Sequence, residues 1–209
     1  MHDALAGQLR QWRQTRGALN INMVSARPVF QDGQLVDLRP DNKNRAKDLI
    51  ADLMIAANGA TARFMVDQGF PSLRRLLQAP HRWDCIVLLA AGHGVQLPAL
   101  PDQLALDRFR ACRLANPAGF ADLSLAVVKL LGSGEYAAAP AAADGAAAAT
   151  GTLGLGHFGL AVNDYAHSTA PNRRFPDLVT QRLLKAAIAG EAPPYSAEQL
   201  GQIARHCAL

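Results

Sequence analysis

Residues Gly156–Arg182 read GHFGLAVNDYAHSTAPNRRFPDLVTQR, and this stretch says most about the chain. Glycines around an aromatic residue predict a strand at its start, and a polar turn follows at Tyr165–Thr169. Arg173 and Arg174 then enter a predicted helix. A guanidinium pairs bidentately with phosphate oxygens, and the free N–H groups of a helix start favour anions. The stretch therefore predicts a site for a phosphodiester.

A simpler interpretation of the two arginines is the solvated start of a surface helix. Against it, two histidines, a tyrosine, a serine, a threonine and an asparagine crowd the same stretch, which is more than a turn needs. His157 and His167 could act as an acid–base pair, but a hydrogen-bonded structural role is favoured for each. Ser168 and Thr169 are expected to cap the helix, and Asp177 to pair with one of the arginines.

Composition limits the possible classes of protein. The 209 residues, half of them hydrophobic, suffice for one domain with a core, and a net charge of +4 with a pI near 9.3 suits a polyanionic partner. Three widely spaced cysteines form no metal-binding or disulfide pattern, which predicts buried free thiols in a reducing cytoplasm. The polar start and the charges in every long apolar window predict neither a signal peptide nor a membrane span. We expect a cytoplasmic protein.

Apolar spacing predicts the secondary structure. The predicted helices span residues 3–16, 44–68, 103–114 and 120–131. A hairpin is expected to turn at Asp32-Gly33. The Ala-rich residues 137–150 are interrupted by proline and glycine, which predicts a flexible insertion. The patterns together indicate an α+β fold in one domain, with mostly helices packed on a small antiparallel sheet.

Two of the predicted helices carry distinctive faces. The longest has an expected inner stripe of Leu49, Leu53, Ala56 and Ala57. The first has a basic side formed by Arg10, Arg13 and Arg16. Between the helices, His81 with Trp83 could stack on RNA, but an aromatic anchor for a loop is the favoured interpretation.

The box at Gly156–Arg182 resembles the one that closes the catalytic domain of the ribonuclease II/R (RNB) family, whose pattern is close to GHFGLAL…Y.HFTSPIRRY.DL..HR. This chain carries the variant STAPNRRF. Arg45–Met65 (RAKDLIADLMIAANGATARFM) resembles the family's long helix with its M-x-x-A-N core. Pro71–Asp84 resembles the segment after that helix, and Gly134–Tyr136 (GEY) the strand before the box. The matched region covers most of the chain.

The resemblance implies a processive 3′→5′ exoribonuclease that depends on Mg²⁺ and releases nucleoside 5′-monophosphates from single-stranded RNA. It implies that Arg173 is the catalytic residue on the scissile phosphate, with Arg174 as a supporting charge. The residues that it implies bind RNA are Arg174, Tyr165, His167, Thr169, Asn172 and Asp52. Ile21 stands where the family often has an aromatic residue that stacks on the terminal base, and an isoleucine offers apolar contact there without a π-face.

The family's metal site has no counterpart in the sequence. Its aspartates lie in a box resembling GD…DxDDA, whereas the seventeen acidic residues here are scattered. The flanking OB-fold domains are also missing, so we expect residues 1–209 to be a single partial RNB domain, its C-terminal half. Because divalent metals supply the nucleophile and relieve charge in phosphodiester hydrolysis, we expect the chain alone to be inactive.

Three interpretations remain open. The chain is part of an RNB-family ribonuclease, a non-catalytic RNA-binding remnant that keeps the arginines, or an incomplete gene product that is stable only beside its missing half. A half domain exposes apolar surface that the other half would cover, so self-association is expected in the third case. The expected partners are single-stranded RNA and that missing N-terminal half.

Overall fold

The computed structural model describes residues 1–19, 26–41, 44–114, 120–141 and 156–208. These form seven α-helices and two separate two-stranded antiparallel sheets. The elements are α1 (His2–Gln14), β1 (Ala26–Gln31), β2 (Gln34–Pro40), α2 (Arg45–Asp67), β3 (Ser72–Leu76), α3 (Trp83–Gly92), α4 (Gln103–Leu114), α5 (Phe120–Leu131), β4 (Glu135–Ala139), α6 (Phe175–Ala189) and α7 (Ala197–His206). The predicted α+β class and the predicted helices are confirmed.

Two apolar clusters hold the helices together. One joins α3, α4 and α5 around Trp83, Ile86, Phe109 and Val127. Trp83 is 4 % exposed and its indole N–H donates to the Pro98 carbonyl at 2.8 Å, so the anchoring role that its sequence context favoured is confirmed. The second joins α2, α6 and α7 around Met65, Val179, Leu183 and Leu200. The box contributes Phe158 to the first cluster and Val179 to the second, so both clusters hold it in place.

The two sheets differ in surroundings. Strand β3 pairs with β4, with Ser72 opposite Ala139, and its residues are almost all buried. Strands β1 and β2 form the predicted hairpin, whose turn residues Asp32 and Gly33 have φ of 51° and 77°. Two positive φ values match the twist that a tight hairpin requires. Apart from half-buried Val29, its apolar side chains are exposed, so of the two described sheets only β3–β4 is covered by helices as expected.

Helix α2 begins after the predicted residue, because the Asn44 side chain accepts a hydrogen bond from the Lys47 N–H at 2.9 Å. The predicted inner stripe is wrong: Ala57 is exposed and the other three side chains are only half-buried. The residues that α2 buries are Asp52, Asn58, Gly59, Ala62 and Met65. By length and composition α2 could cross a membrane, a property that core helices share. Its buried polar residues pair inside the protein instead.

Three further expectations need correction. The start of the box is not a strand but a short 3₁₀ turn, Phe158–Leu160, because the His157 N–H bonds to the Val162 carbonyl at 2.8 Å and closes a tight loop. None of the three cysteines, all free, is buried. The Ala-rich segment begins as part of β4, while residues 142–150 lie outside the described residues, as does Ile21.

Candidate functional site

The two arginines of the box lie in a tight turn before α6, and residues 170–174 are called the arginine loop below. The backbone N–H groups of Arg173 and Arg174 both donate to the Ala170 carbonyl, at 3.2 and 3.0 Å. The helix itself begins at Phe175, with Pro176 in its first turn. Because proline lacks an N–H and the N–H groups of both arginines are used, none of these three residues offers a free backbone donor to an anion. An anion bound at the arginines themselves would be bound through their side chains.

Arg174 is held in place by a buried carboxylate. Its Nη2 lies 2.7 Å from Oδ1 of Asp177, whose side chain is fully buried. The same oxygen accepts the Ala170 N–H at 2.8 Å. One carboxylate therefore ties the start of the arginine loop to its end, and the predicted pairing of Asp177 with an arginine is confirmed.

Arg173 is in the opposite situation. It is exposed, and no carboxylate among the described residues lies within salt-bridge distance of it. Thr169 and Asn172 are exposed beside it. The turn thus presents one guanidinium without an ionic partner, next to one that is neutralised, and a phosphate could bind bidentately to the first.

A network around Asn58 supports the loop from α2. Asn58 is completely buried, and its Oδ1 accepts hydrogen bonds from both the backbone N–H and the hydroxyl of Ser168, each at 2.9 Å. Its Nδ2 donates to the Tyr165 hydroxyl at 3.2 Å. From α6, the Gln181 amide donates to the Ser168 carbonyl at 2.7 Å. Asn58 thereby fixes the backbone that leads into the arginine loop.

This network was missed by the sequence interpretation and corrects part of it. Ser168 does not cap α6, because its hydroxyl bonds to Asn58, and the N-cap Arg174 has no side-chain capping bond. The M-x-x-A-N core of α2 ends on Asn58 and was the signal that could have identified it.

His157 and His167 flank Tyr165 in a cluster of rings. Burial, reinforced by nearby arginines, lowers the pKa of each histidine to about 4. Both are therefore neutral near pH 7. The Nδ1 of His167 lies 2.7 Å from the hydroxyl of Tyr136, and both histidines meet Tyr165 edge to face. The hydrogen-bonded structural role favoured from the sequence agrees with these contacts for His167, whereas the buried Nδ1 of His157 has no hydrogen-bond partner among the described residues.

The two remaining residues expected at RNA are buried. Tyr165 is 6 % exposed, and burial raises the pKa of its hydroxyl. Asp52 is 3 % exposed and belongs to a different cluster, where it binds Arg10 at 2.7 Å and also Arg13. The structure brings Arg173, Arg174, Thr169, Asn172, His167 and Tyr165 together, but gives Asp52 no contact with the arginine loop.

The described residues do not fit a magnesium site. Mg²⁺ needs clustered oxygen ligands, usually carboxylates. Within the described parts of the chain, no three histidine, cysteine, aspartate or glutamate side chains lie together in a way that could hold a metal ion. Asp177 is committed to Arg174, and Asp52 to Arg10 and Arg13. No catalytic step through a metal is derived from these residues.

Comparison with known proteins supports one family. A family model described as the RNB domain matches residues 1–190. Ribonuclease R of Thermotoga maritima is 30% identical over 220 residues, which cover 97% of this chain and 28% of that protein. The chain spans about a quarter of the length of the curated relatives that it matches, between 21 and 29%.

Solved structures agree on the fold. Mycoplasma genitalium RNase R in complex with double-stranded RNA has a TM-score of 0.78 and 19% identity, covering 99% of this chain and 36% of that one. Yeast Ssd1, a pseudonuclease, has a TM-score of 0.60 and 17% identity, covering 79% of this chain and 20% of that one. The family-model match extends over nearly the whole chain, from α1 through the arginine loop and α6. The chain therefore belongs to the RNB domain family.

Proposed function

We propose that this chain binds single-stranded RNA as part of an RNB-family 3′→5′ exoribonuclease, with Arg173 on a phosphate of the strand. One observation carries the proposal. Of two neighbouring arginines, Arg174 is paired with a buried carboxylate, whereas Arg173 is exposed and has no ionic partner among the described residues. A surface helix start would not need a buried aspartate to order the turn.

The role proposed for each residue in and around the arginine loop follows from its contacts. Arg173 meets the phosphate, and its charge stabilises the added negative charge of the transition state. Exposed Thr169 and Asn172 offer hydrogen bonds to the same strand. Arg174, Tyr165 and His167 act by shaping the loop, since each has one polar atom bound inside the protein, to Asp177, Asn58 and Tyr136 respectively.

Hydrolysis to nucleoside 5′-monophosphates would require Mg²⁺, which supplies the nucleophilic water and relieves charge on the phosphate. Since the described residues do not fit that ion, its ligands would come from outside them. The same observation supports a second candidate function, an RNA-binding protein that does not cleave. In that case Arg173 makes the same phosphate contact without a reaction.

A 5′-labelled single-stranded RNA, incubated with the full chain and Mg²⁺, separates these functions. We expect Arg173→Ala to weaken RNA binding about tenfold, the usual effect of losing one charged hydrogen-bonded contact. Arg182→Ala, at an exposed position of α6, removes the same charge outside the arginine loop and should leave affinity unchanged. Equal affinities for the two variants would disprove the assignment of Arg173.

Cleavage is read in the same experiment. A ladder that shortens from the 3′ end and is lost in Arg173→Ala would establish the exoribonuclease. Intact RNA that stays bound in a salt-dependent manner would establish the non-cleaving function for the isolated chain.

A further inference from the structure

Arg75 in β3 is half-buried and stacks on an aromatic ring instead of pairing with a carboxylate. It lies opposite Tyr136 of β4, and its guanidinium is 4.7 Å from the centroid of that ring. Among the described residues, no carboxylate lies within salt-bridge distance of it. Its backbone N–H donates to the Tyr165 carbonyl at 2.9 Å. Arg75 therefore joins the covered sheet to the polar turn that leads into the arginine loop.

The position of this guanidinium depends on Gly134, the residue before β4. A Cβ added to Gly134 would lie 2.8 Å from Nη2 of Arg75 and 3.0 Å from its Nε and Cζ. A larger residue would therefore push the guanidinium away from this position. The neighbouring carboxylate of Glu135 accepts a hydrogen bond from the Gln78 amide at 2.7 Å. The sheet thus holds the charge of Arg75 against the face of Tyr136 without neutralising it.

The hydroxyl of Tyr136 transmits the effect of this charge to His167. Burial raises the pKa of the hydroxyl, which therefore keeps its proton near pH 7. A cation over the ring withdraws electron density from the oxygen, so the O–H becomes a stronger donor and the oxygen a weaker acceptor. In the 2.7 Å contact between this hydroxyl and Nδ1 of His167, the hydroxyl is therefore the donor and Nδ1 the acceptor.

The direction of this hydrogen bond decides which nitrogen of His167 carries the proton. The ring is neutral near pH 7, and a neutral imidazole that accepts at Nδ1 carries its N–H at Nε2. Nε2 makes no hydrogen bond to the described residues, and the ring is only half-buried. Arg174 lies close enough to disfavour a positive charge on the ring. An N–H without a protein partner among the described residues therefore lies beside the arginine loop.

We propose that Arg75 and Tyr136 are positioning residues that fix the proton of His167 on Nε2, and that this N–H donates to an oxygen of the RNA strand beside Arg173. The inference rests on RNA binding as the proposed function, and it gives His167 a role in addition to shaping the loop. The donor is neutral, so it binds the strand without releasing counterions. Its contribution to RNA affinity therefore does not depend on salt, whereas that of Arg173 does.

The first test measures the tautomer of His167 in the full chain without RNA. Nitrogen NMR distinguishes protonated from unprotonated ring nitrogens, and we expect the proton of His167 on Nε2. Tyr136→Phe keeps the ring but removes the donor, so it should produce a mixture of both tautomers. Arg75→Gln should shift the tautomer in the same direction, and Arg75→Lys, which keeps the charge, should shift it less. A proton on Nδ1 in the wild type would overturn the proposal.

Two further variants control for side effects of deleting Arg75. Gly134→Ala leaves the arginine in the chain but moves its guanidinium, so it should shift the tautomer as Arg75→Gln does. Arg27→Gln removes the same charge from the exposed hairpin and should leave the tautomer unchanged. If neither Arg75→Gln nor Tyr136→Phe changes the tautomer, these two residues do not position His167 and the proposal fails.

The second test measures single-stranded RNA affinity at several salt concentrations. His167→Asn removes Nε2 and should weaken binding about fivefold, the usual effect of one neutral hydrogen bond, without changing the salt dependence. His167→Gln, whose amide nitrogen can take the place of Nε2, should keep more affinity than His167→Asn. Arg173→Ala should reduce the number of ion contacts read from the salt dependence by about one and leave the tautomer of His167 unchanged.

These measurements separate the donor from the arginine. If the tautomer is as expected but His167→Asn binds RNA as the wild type does, the donor is not used and the proposal fails, although the assignment of Arg173 stands. If His167→Asn weakens binding and Arg173→Ala does not, the assignment of Arg173 fails and the donor stands. If His167→Asn reduces the salt dependence as Arg173→Ala does, the histidine acts only by placing the arginine, which also overturns the proposal.

Discussion

The molecule contains two arginine–aspartate clusters that are similar in composition but differ in the parts of the structure that they join. In the loop cluster, fully buried Asp177 pairs with Arg174, three residues before it. In the helix cluster, nearly buried Asp52 of α2 pairs with Arg10 and Arg13 of α1, about forty residues away in sequence. Each cluster leaves a neighbouring arginine, Arg173 or Arg16, without a carboxylate among the described residues.

The difference lies in what each carboxylate joins. Both oxygens of Asp52 are used, and they connect two helices whose packing depends on them. Asp177 uses one oxygen, which accepts from Arg174 and from the Ala170 N–H, while its second is buried with no partner among the described residues. The helix cluster should therefore stabilise the whole fold, and the loop cluster should order a local turn.

The largest effect that tests this comparison is expected at Asp52. The change Asp52→Ala leaves Arg13 buried without a countercharge and should reduce the free energy of unfolding by about 3–5 kcal/mol. Urea denaturation followed by circular dichroism measures it. The matched control is Asp37→Ala on the exposed hairpin, whose ion pair with Arg39 should be worth less than about 0.5 kcal/mol. Similar losses in the two variants would mean that the helix cluster contributes no more than a surface pair.

A smaller and more local effect is expected at Asp177. The change Asp177→Ala removes two hydrogen bonds of one carboxylate and should cost about 2 kcal/mol, less than at Asp52 because Arg174 is 27 % exposed and water can reach it. Hydrogen exchange should show the Ala170 amide exchanging faster. In the double variant Asp177→Ala/Arg174→Ala, the loss in free energy of unfolding should be much smaller than the sum of the two single losses. Additive losses would show that the pair does not hold the loop.

The two clusters also show how far the sequence could lead. The pairing of Asp177 with Arg174 was predictable because the residues are one helical turn apart. The contact between Asn58 and Ser168 joins residues 110 positions apart, and spacing within one segment carries no information on it. The inner stripe of α2 was mispredicted for a related reason. Its buried positions include Asp52 and Asn58, whose burial is made possible by partners on α1 and in the box.

The smallest expected effect is a dependence of folding stability on pH, which comes from two histidines near the loop cluster. Burial lowers the pKa of His157 and His167 to about 4, whereas an unfolded histidine titrates near 6.5. Below pH 6.5 these histidines bind protons in the unfolded chain but stay neutral in the folded chain. Their contribution to stability is therefore fully present above that pH and falls as the pH decreases towards 4. Between pH 7 and pH 5 we expect a loss of about 1 kcal/mol per histidine, reduced from the full linkage value because water reaches part of each ring.

The histidine contribution is isolated by comparison with His157→Gln and His167→Gln, each denatured by urea at pH 7 and pH 5. Each variant should lose less stability over this interval than the wild type does. The ring of His167 lies beside Tyr136, and the positive charge of Arg174 disfavours its protonated form. Its protonation should therefore loosen the arginine loop before it affects the contacts of α1 with α2. Hydrogen exchange at pH 5 should therefore speed up at Ala170 and leave the α2 amides near Asp52 protected. Equal loosening of both regions would show that the two clusters belong to one cooperative unit and that their separation into a local and a global role is wrong.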